Sequence, residues 1–446
     1  MPEHGRKIEL TLDSMAYGGD AVGRHQGMAV FVPKGLPGER VRARVTESHK
    51  TYCRAEIETM LEPSPHRVTP RCPDFGICGG CQWQMIAYPH QLELKQKVLA
   101  ETLERLGGLI LPEIEVIGHS NGWGYRNKAQ FPVAASRVGP TMGYYRSHSH
   151  QVVPIQQCPI LDPVLQAVWP QVHLKISESG ISGYDEKRHE GRLRHLVLRS
   201  SRSMAQAMLA LVTRTPESMG ALVESLAGDI SGLAGIHQNV NPAKSNTILG
   251  RRWLWLLGEP YLNETLAGAR LRISPGSFLQ VNLEVTARIY SACLHGLELD
   301  GSETVLDVYS GVGSIALMLA GFAGEVIGIE ESGCAVDDAK AGAVASGVGN
   351  CRFLRGDAGE VLSSISSCQA VVVDPPRQGL RPEVIESLGR LSPRRLAYLS
   401  CNPSTLARDL KAFGAYGYRL TRLWLADMFP QTYHIETLAV IHKEGR

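Results

Sequence analysis

The sequence predicts a multidomain protein: a small N-terminal β-barrel of the OB-like kind, a mixed α+β middle part, and a C-terminal α/β unit. Three observations carry this reading. Short β-type runs separated by glycine turns fill residues 7–62, as in a small barrel. From about residue 270, apolar runs alternate with helix-like stretches at intervals of roughly twenty to thirty residues, the signature of a parallel, Rossmann-like sheet wrapped by helices. Between them lies RCPDFGICGGC, residues 71–81, with three cysteines spaced Cys72-x5-Cys78-x2-Cys81.

The expected boundaries are 1–62 for the barrel, 63–268 for the central part and 269–446 for the α/β unit. In the barrel, Gly18-Gly19, Gly23, Gly27 and Pro37-Gly38 mark turns between strands. The stretch 91–107, QLELKQKVLAETLERLG, reads as a helix with Leu92, Leu99, Leu103 and Leu106 on one face, and it is expected to pack on the C-terminal unit. In the middle part LRHLVLRSSRS and QAMLALVT read as paired strands, and WLWLLG (253–258) as another. In the C-terminal unit the strands are TVLDVYSG (304–311), EVIGIEES (325–332), CRFLRGD (351–357), AVVVDPP (370–376) and RLAYLSCNP (395–403).

Composition excludes some classes. The chain has 446 residues, 43% hydrophobic and 20% charged, with a formal net charge of +2. No run approaches about eighteen apolar residues, so no membrane span is expected. The start MPEHGRKIEL lacks a charged-then-apolar signal pattern, and a cytoplasmic protein is expected. In a reducing compartment the ten cysteines are better read as metal ligands, reactive thiols or packing than as disulfides. Basic residues cluster locally, at Arg40, Arg42, Arg44, Lys50 and Arg54 and again over 187–199; such clusters can neutralise phosphates or simply be solvated faces.

The strand ends carry the chemistry, because open α/β sheets bind ligands beyond the carboxyl ends of their strands. Asp307-Val-Tyr309-Ser-Gly311-Val-Gly313 follows the first strand, Glu330 ends the second and Asp357 the third. Acidic side chains at successive strand ends suit a ligand with ribose hydroxyls and a positive charge, so S-adenosylmethionine is favoured over NAD. Asp374 sits beside two prolines that stiffen the rim, with Arg377 close behind. Cys401, in SCNPSTLARDL (400–410), stands at a strand end before a helix, where amides and Arg377 are expected to lower its thiol pKa. Glu436 lies inside the apolar run FPQTYHIETLAVI (429–441), a costly place for a charge without a partner or a task.

With these residues in hand, the chain resembles the RNA uridine-5-methyltransferase family over nearly its whole length. GSFLQVN (276–282), DVYSGVG (307–313), VVDPPRQGL (372–380), SCNPSTLARDL and FPQTYHIETLAVI carry the resemblance. The resemblance implies that the barrel is an RNA-binding TRAM domain. It implies Cys401 as nucleophile and Glu436 as general base. Gln280, Tyr309, Gly311, Glu330, Asp357 and Asp374 would line the S-adenosylmethionine site. The cysteine loop, which by spacing alone could be a disulfide knot, a zinc site or an iron–sulfur site, becomes a four-iron–four-sulfur site with Cys72, Cys78, Cys81 and Cys158 as ligands; zinc is the alternative. The implied substrate is 23S ribosomal RNA, with transfer RNA as the nearest rival and a non-catalytic RNA-binding or redox-sensing protein as the rival of another class. A monomer is expected. Two departures from the family pattern are Ser310, where cysteine is frequent, and Gln431, where histidine is common. Tyr125, Arg126 and Lys128 in WGYRNKAQFPV are a further expected RNA contact.

Overall fold

The structure, a computed structural model, describes residues 3–444. Five strands, Lys7–Met15, Ala21–His25, Met28–Val32, Arg40–Ser48 and Tyr52–Glu62, close into a barrel. The period-2 pattern of the first strand explains the closure: Ile8, Leu10, Leu12 and Met15 point inward and Glu9 and Thr11 outward. Arg40, Arg42 and Arg44 face outward too, but pair with Glu62 (2.8 Å), Glu9 (2.7 Å) and Glu58 (3.2 Å). This basic run is matched by neighbouring glutamates rather than left free for phosphate.

The helix starts earlier than the pattern implied. It runs Tyr88–Thr102 with proline in its first turn, continues as one wider turn over Leu103–Gly107, and stops at Gly108 in the left-handed conformation. Its buried face includes Leu99 and Leu103 of the predicted stripe but also two polar residues. Leu106 is 49% exposed, while Gln91 and Lys95 are fully buried. Polar partners on the C-terminal unit, described below, compensate the burial of these two side chains.

The middle part holds a seven-stranded sheet in the order Arg252–Gly258, Leu233–Val240, Gln206–Thr213, Leu193–Ser201, Lys128–Ala134, Thr141–Tyr145, Val152–Pro154. Leu193–Ser201 and Gln206–Thr213 form the expected antiparallel pair. Helix Pro163–Glu178 is capped by Asp162 and packs Trp169 against Phe131 in this core.

The C-terminal unit is an eight-stranded sheet in the order Cys351–Arg355, Glu325–Glu330, Thr304–Val308, Ala370–Val373, Arg395–Ser400, Glu436–Lys443, Tyr418–Ala426, Ile114–Ile117. The first five strands run parallel, and Glu436–Lys443 is antiparallel to both its neighbours. The edge strand Ile114–Ile117 comes from far upstream, so the sheet is completed by residues from the central segment. Strand order reverses at Thr304–Val308, the switch point where such sheets bind ligands. Among the described residues no helix is long and apolar enough to cross a membrane.

Candidate active site and the cysteine cavity

The loop after Thr304–Val308 is shaped by backbone constraints. Tyr309 takes φ +69° and donates its N–H to Ile329 O (2.9 Å). Gly313, at φ +78°, has no room for a side chain: a Cβ there would stand 2.9 Å from Ala339 and Phe353. Glu330 organises the turn, accepting Gly311 N–H (3.0 Å) on one oxygen and Ser332 N–H (2.7 Å) on the other. Each carboxylate oxygen keeps a second lone-pair site, so this bonding leaves acceptors for a ribose diol. Asp357 is committed otherwise. It caps helix Ala358–Ser363 through Gly359 and Glu360 and holds Arg381 at 2.5 and 2.6 Å. These hydrogen bonds, that to Arg381 foremost, keep its carboxyl below the usual range.

Deeper in the same rim, Asp374 is half-buried and accepts from Gln280 Nε2 (3.2 Å). Burial pushes its pKa up to about 7. Asp307 is buried, and desolvation lifts it to about 8 although Ala316 N–H donates to Oδ2 (3.0 Å). Its Oδ1 has no partner among the described residues. A partnerless buried carboxylate oxygen beside a glycine turn, with a row of acids along the strand ends, fits a cationic nucleoside ligand such as S-adenosylmethionine.

Cys401 and Glu436 meet through the sheet register. In the antiparallel pair Arg395↔His442 through Ser400↔Thr437, partner numbers sum to 837 at every step. Cys401 and Glu436 also sum to 837, so they flank the end of one ladder, directly beyond the last pair. The electrostatics agree: burial first, and then the Glu436 charge, hold the Cys401 thiol up at about 11, with Arg377 pulling it down. The expected lowering by Arg377 is thus present but outweighed by desolvation and by two carboxyls, Glu436 and Asp374. Glu436 is held well above the ordinary carboxylate range by burial and then by Asp374, again opposed by Arg377.

The cysteines form a second centre. Cys72, Cys78, Cys81 and Cys158 line one cavity of about 350 Å³, which Arg377, Phe429 and His434 wall on the other side. Amides converge on the sulfurs. Gly80 N–H lies 3.4 Å from Cys78 Sγ, Asp74 and Phe75 amides address Cys72, and Ile160 and Leu161 amides address Cys158. Among the described residues no three such groups stand where a single metal ion could be held. All ten cysteines are free. Cys158 therefore joins the 72–81 loop in space, across nearly eighty residues of chain.

Residues 255–444 match the tRNA (uracil-5-)-methyltransferase family, and residues 3–57 match the TRAM domain. An "uncharacterized RNA methyltransferase" of Halalkalibacterium halodurans is 39% identical over 97% of this chain and 96% of its own length. The chain belongs to the RNA uracil-5-methyltransferase family. A second such relative, from Gloeobacter violaceus, is 38% identical over 98% of this chain and 97% of its own. The crystal structure of Pyrococcus abyssi tRNA (uracil-54, C5)-methyltransferase, in complex with S-adenosyl-L-homocysteine, is similar with a TM-score of 0.79 and 28% identity, covering 97% of this chain and 99% of that one. The protein is thus an S-adenosylmethionine-dependent RNA methyltransferase of the uracil-5 type, with a TRAM barrel at its N-terminus.

In this methyltransferase the turn before Glu436 is a junction that the sequence did not announce. Gln431 is buried at φ +69°. Its carbonyl accepts the amides of Gln82 (3.1 Å) and Trp83 (3.0 Å), directly after Cys81, and its side chain and N–H exchange hydrogen bonds with Gln91 (3.0 and 2.9 Å). Tyr125 Oη donates to Pro430 O (3.0 Å). The departure from histidine at 431 therefore leaves a fully bonded turn. Tyr125 is buried and Arg126 and Lys128 are half-buried, and the buried Asn127 between them donates to Gln280 O (3.0 Å), stitching the middle part to GSFLQVN. Burial and the nearby charges of Arg199 and Arg126 lower Lys128 to about 7. Asp307 was legible as an acid at a strand end and Gln431 as a departure from histidine. The bonding of Gln431 to Gln91 was not, since an amide pair carries no signal in sequence.

Proposed function

We propose that this enzyme methylates carbon 5 of a uridine through a covalent cysteine–uracil adduct, with Cys401 as nucleophile and Glu436 as base. The observation that carries the reading is their meeting at the end of one strand ladder, beside Asp374 and Arg377. Carbon 5 of uracil is too weak a nucleophile by itself. Addition of the Cys401 thiolate to carbon 6 moves an electron pair into the ring and makes carbon 5 nucleophilic. S-adenosylmethionine supplies the electrophilic methyl group that carbon 5 takes up. Glu436 then removes the carbon-5 proton, the ring double bond re-forms, and the Cys401 thiolate leaves. Both groups act in their ionised forms, so the Cys401 and Glu436 protons must be lost to solvent before addition and before proton abstraction. The charge of Glu436 opposes Cys401 ionisation after burial, and Arg377 favours the ionised form of both.

In this reading Glu330 holds the ribose, with Gly311 and Tyr309 shaping the loop over it. Gln280 and Asp374 border the reacting methyl, and Asp357 with Arg381 borders the adenine end. Cys72, Cys78, Cys81 and Cys158 would hold a four-iron–four-sulfur cluster. Four thiols around one cavity, approached by amide donors, suit the sulfur ligation of such a cluster. The cluster would tie the cysteine loop to Gln431 and so support the turn carrying Glu436; no chemical step uses it.

The RNA expected from the resemblance is 23S ribosomal RNA. Transfer RNA is the second reading, favoured by the Pyrococcus abyssi enzyme, which is similar over the whole chain, barrel included. The deciding experiment is transfer of labelled methyl from S-adenosylmethionine to unmodified transcripts of each RNA, using anaerobically purified protein. Label recovered as 5-methyluridine in only one of them names the substrate. Label at another atom or base would overturn the reading.

A further inference from the structure

The barrel reaches the site as well. Its turn Ala16–Asp20 is closed by Ala16 N–H to Asp20 O (2.9 Å) and Gly19 N–H to Ala16 O (3.0 Å), and braced by Arg54 on Asp20 (2.8 Å). The buried Trp83 donates its indole N–H to Gly19 O (3.1 Å). Gly19, at φ +95°, lies against the Tyr433 ring, where a Cβ would stand 2.8 Å from Cδ1. This turn is therefore docked, without room to spare, on the segment that leads into Glu436. At its tip the Tyr17 ring meets Tyr433 edge-on, centroids 6.5 Å apart at 88°. Tyr17 nevertheless remains 40% exposed. Trp83 and Gly19 already fasten the barrel, so the open face of Tyr17 is not needed for docking. Burial of its hydroxyl and then the charge of Cys401 hold the phenol proton up to about 12, with Tyr433, Arg377 and Glu436 as further neighbours.

We propose that Tyr17, from the barrel, is a positioning residue for RNA: its exposed ring, set upright by Tyr433, forms one wall of the pocket that receives the unstacked uracil. An aromatic face beside a nucleophile that must reach carbon 6 offers the stacking that a flipped base loses on leaving its helix. The barrel then contributes to the reaction centre itself and does more than grip RNA at a distance. This rests on the assignment of Cys401 as nucleophile.

The test compares Tyr17→Ala, Tyr17→Leu and Tyr17→Phe with the unaltered protein, on the transcript that the latter methylates. Removing one base–aromatic stack should raise KM for RNA roughly 10- to 100-fold, with KM for S-adenosylmethionine unchanged. Tyr17→Leu keeps an apolar contact to Tyr433 without a flat face and should lose as much as Tyr17→Ala, whereas Tyr17→Phe should restore binding. Unchanged RNA KM in Tyr17→Ala, or a Tyr17→Phe as poor as Tyr17→Ala, would overturn the proposal. The same transcript carrying 5-fluorouridine separates the two readings. Without an adduct in the unaltered protein the Cys401 assignment fails, and filter binding of the Tyr17 variants still decides the stacking role.

Discussion

Lys95 Nζ and Asp427 Oδ1 lie 2.7 Å apart, and neither side chain is exposed at all. The pair joins the long helix to the end of strand Tyr418–Ala426, whose last residue, Ala426, lies opposite Glu436 in the ladder. Lys95 also donates to Phe429 O (3.2 Å). A buried ion pair is strongly destabilising to break on one side, because the remaining charge has no water to return to. Lys95→Met should therefore cost about 3–5 kcal/mol. Equilibrium denaturation monitored on the C-terminal unit measures it, and Lys95→Met with Asp427→Leu should recover much of the loss. A single variant as stable as the parent would show that the pair is not holding the helix.

Cys401→Ala should lower methyl transfer at least about 1,000-fold, the scale of losing a covalent nucleophile, while S-adenosylmethionine binding by calorimetry is unchanged. Turnover near the parental rate would remove Cys401 from the mechanism.

Glu436→Gln should still form the adduct and methylate carbon 5, then stall. The amide cannot accept the carbon-5 proton, and loss of a general base costs about 100-fold or more. A denaturing gel should show protein–RNA adduct accumulating in this variant and resolving slowly. Normal release would move the base role elsewhere.

The pH dependence follows from the sign of the two shifts. Both Cys401, at about 11, and Glu436, raised well above its usual range, must lose a proton to work. A raised pKa moves the active form to higher pH, so the transfer rate should still be climbing in the alkaline range, towards about pH 11 for Cys401, rather than peak near neutrality. Arg377 lowers both groups. Arg377→Ala should shift the rising limb to higher pH, and a profile that stays in place would show that Arg377 does not act on these protons.

Anaerobically purified protein should carry about four irons per chain, with the broad visible absorbance of iron–thiolate charge transfer. Cys78→Ser should lose both. Because the loop bonds to Gln431 through Gln82 and Trp83, this variant should lose stability or RNA affinity while retaining S-adenosylmethionine binding. Stoichiometric zinc in place of iron would replace the cluster with a metal of another kind.

The parallel strands of the C-terminal sheet were legible because they are apolar on both faces, separated by helix-length intervals, and followed by an acid, a glycine or a proline; Tyr418–Ala426 and the upstream Ile114–Ile117 were not read. The long helix was legible in place and, through Leu99 and Leu103, in part of its buried face. Its leucines suggested one stripe, yet Gln91 and Lys95 face inward because Gln431 and Asp427 lie opposite them. The basic run at Arg40–Arg44 looked like a phosphate surface, and the glutamates that match it come from strands that only barrel closure brings alongside.

The sequence by itself determined the chemistry of the parts: a thiol at a strand end, a carboxyl inside an apolar strand, acids in a row, and cysteines too close in sequence to be incidental. Local order and residue type are written along the chain, and these features need nothing more. Only the tertiary structure decided which parts meet. Strand register brought Cys401 opposite Glu436, the cavity gathered Cys158 with the 72–81 loop, and the docked turn carried Tyr17 to the site. Those relations depend on packing between segments far apart in the chain. Burial, which also follows from packing, then set the proton affinities of Cys401, Asp374 and Glu436, and it reversed the expectation of a low-pKa thiol.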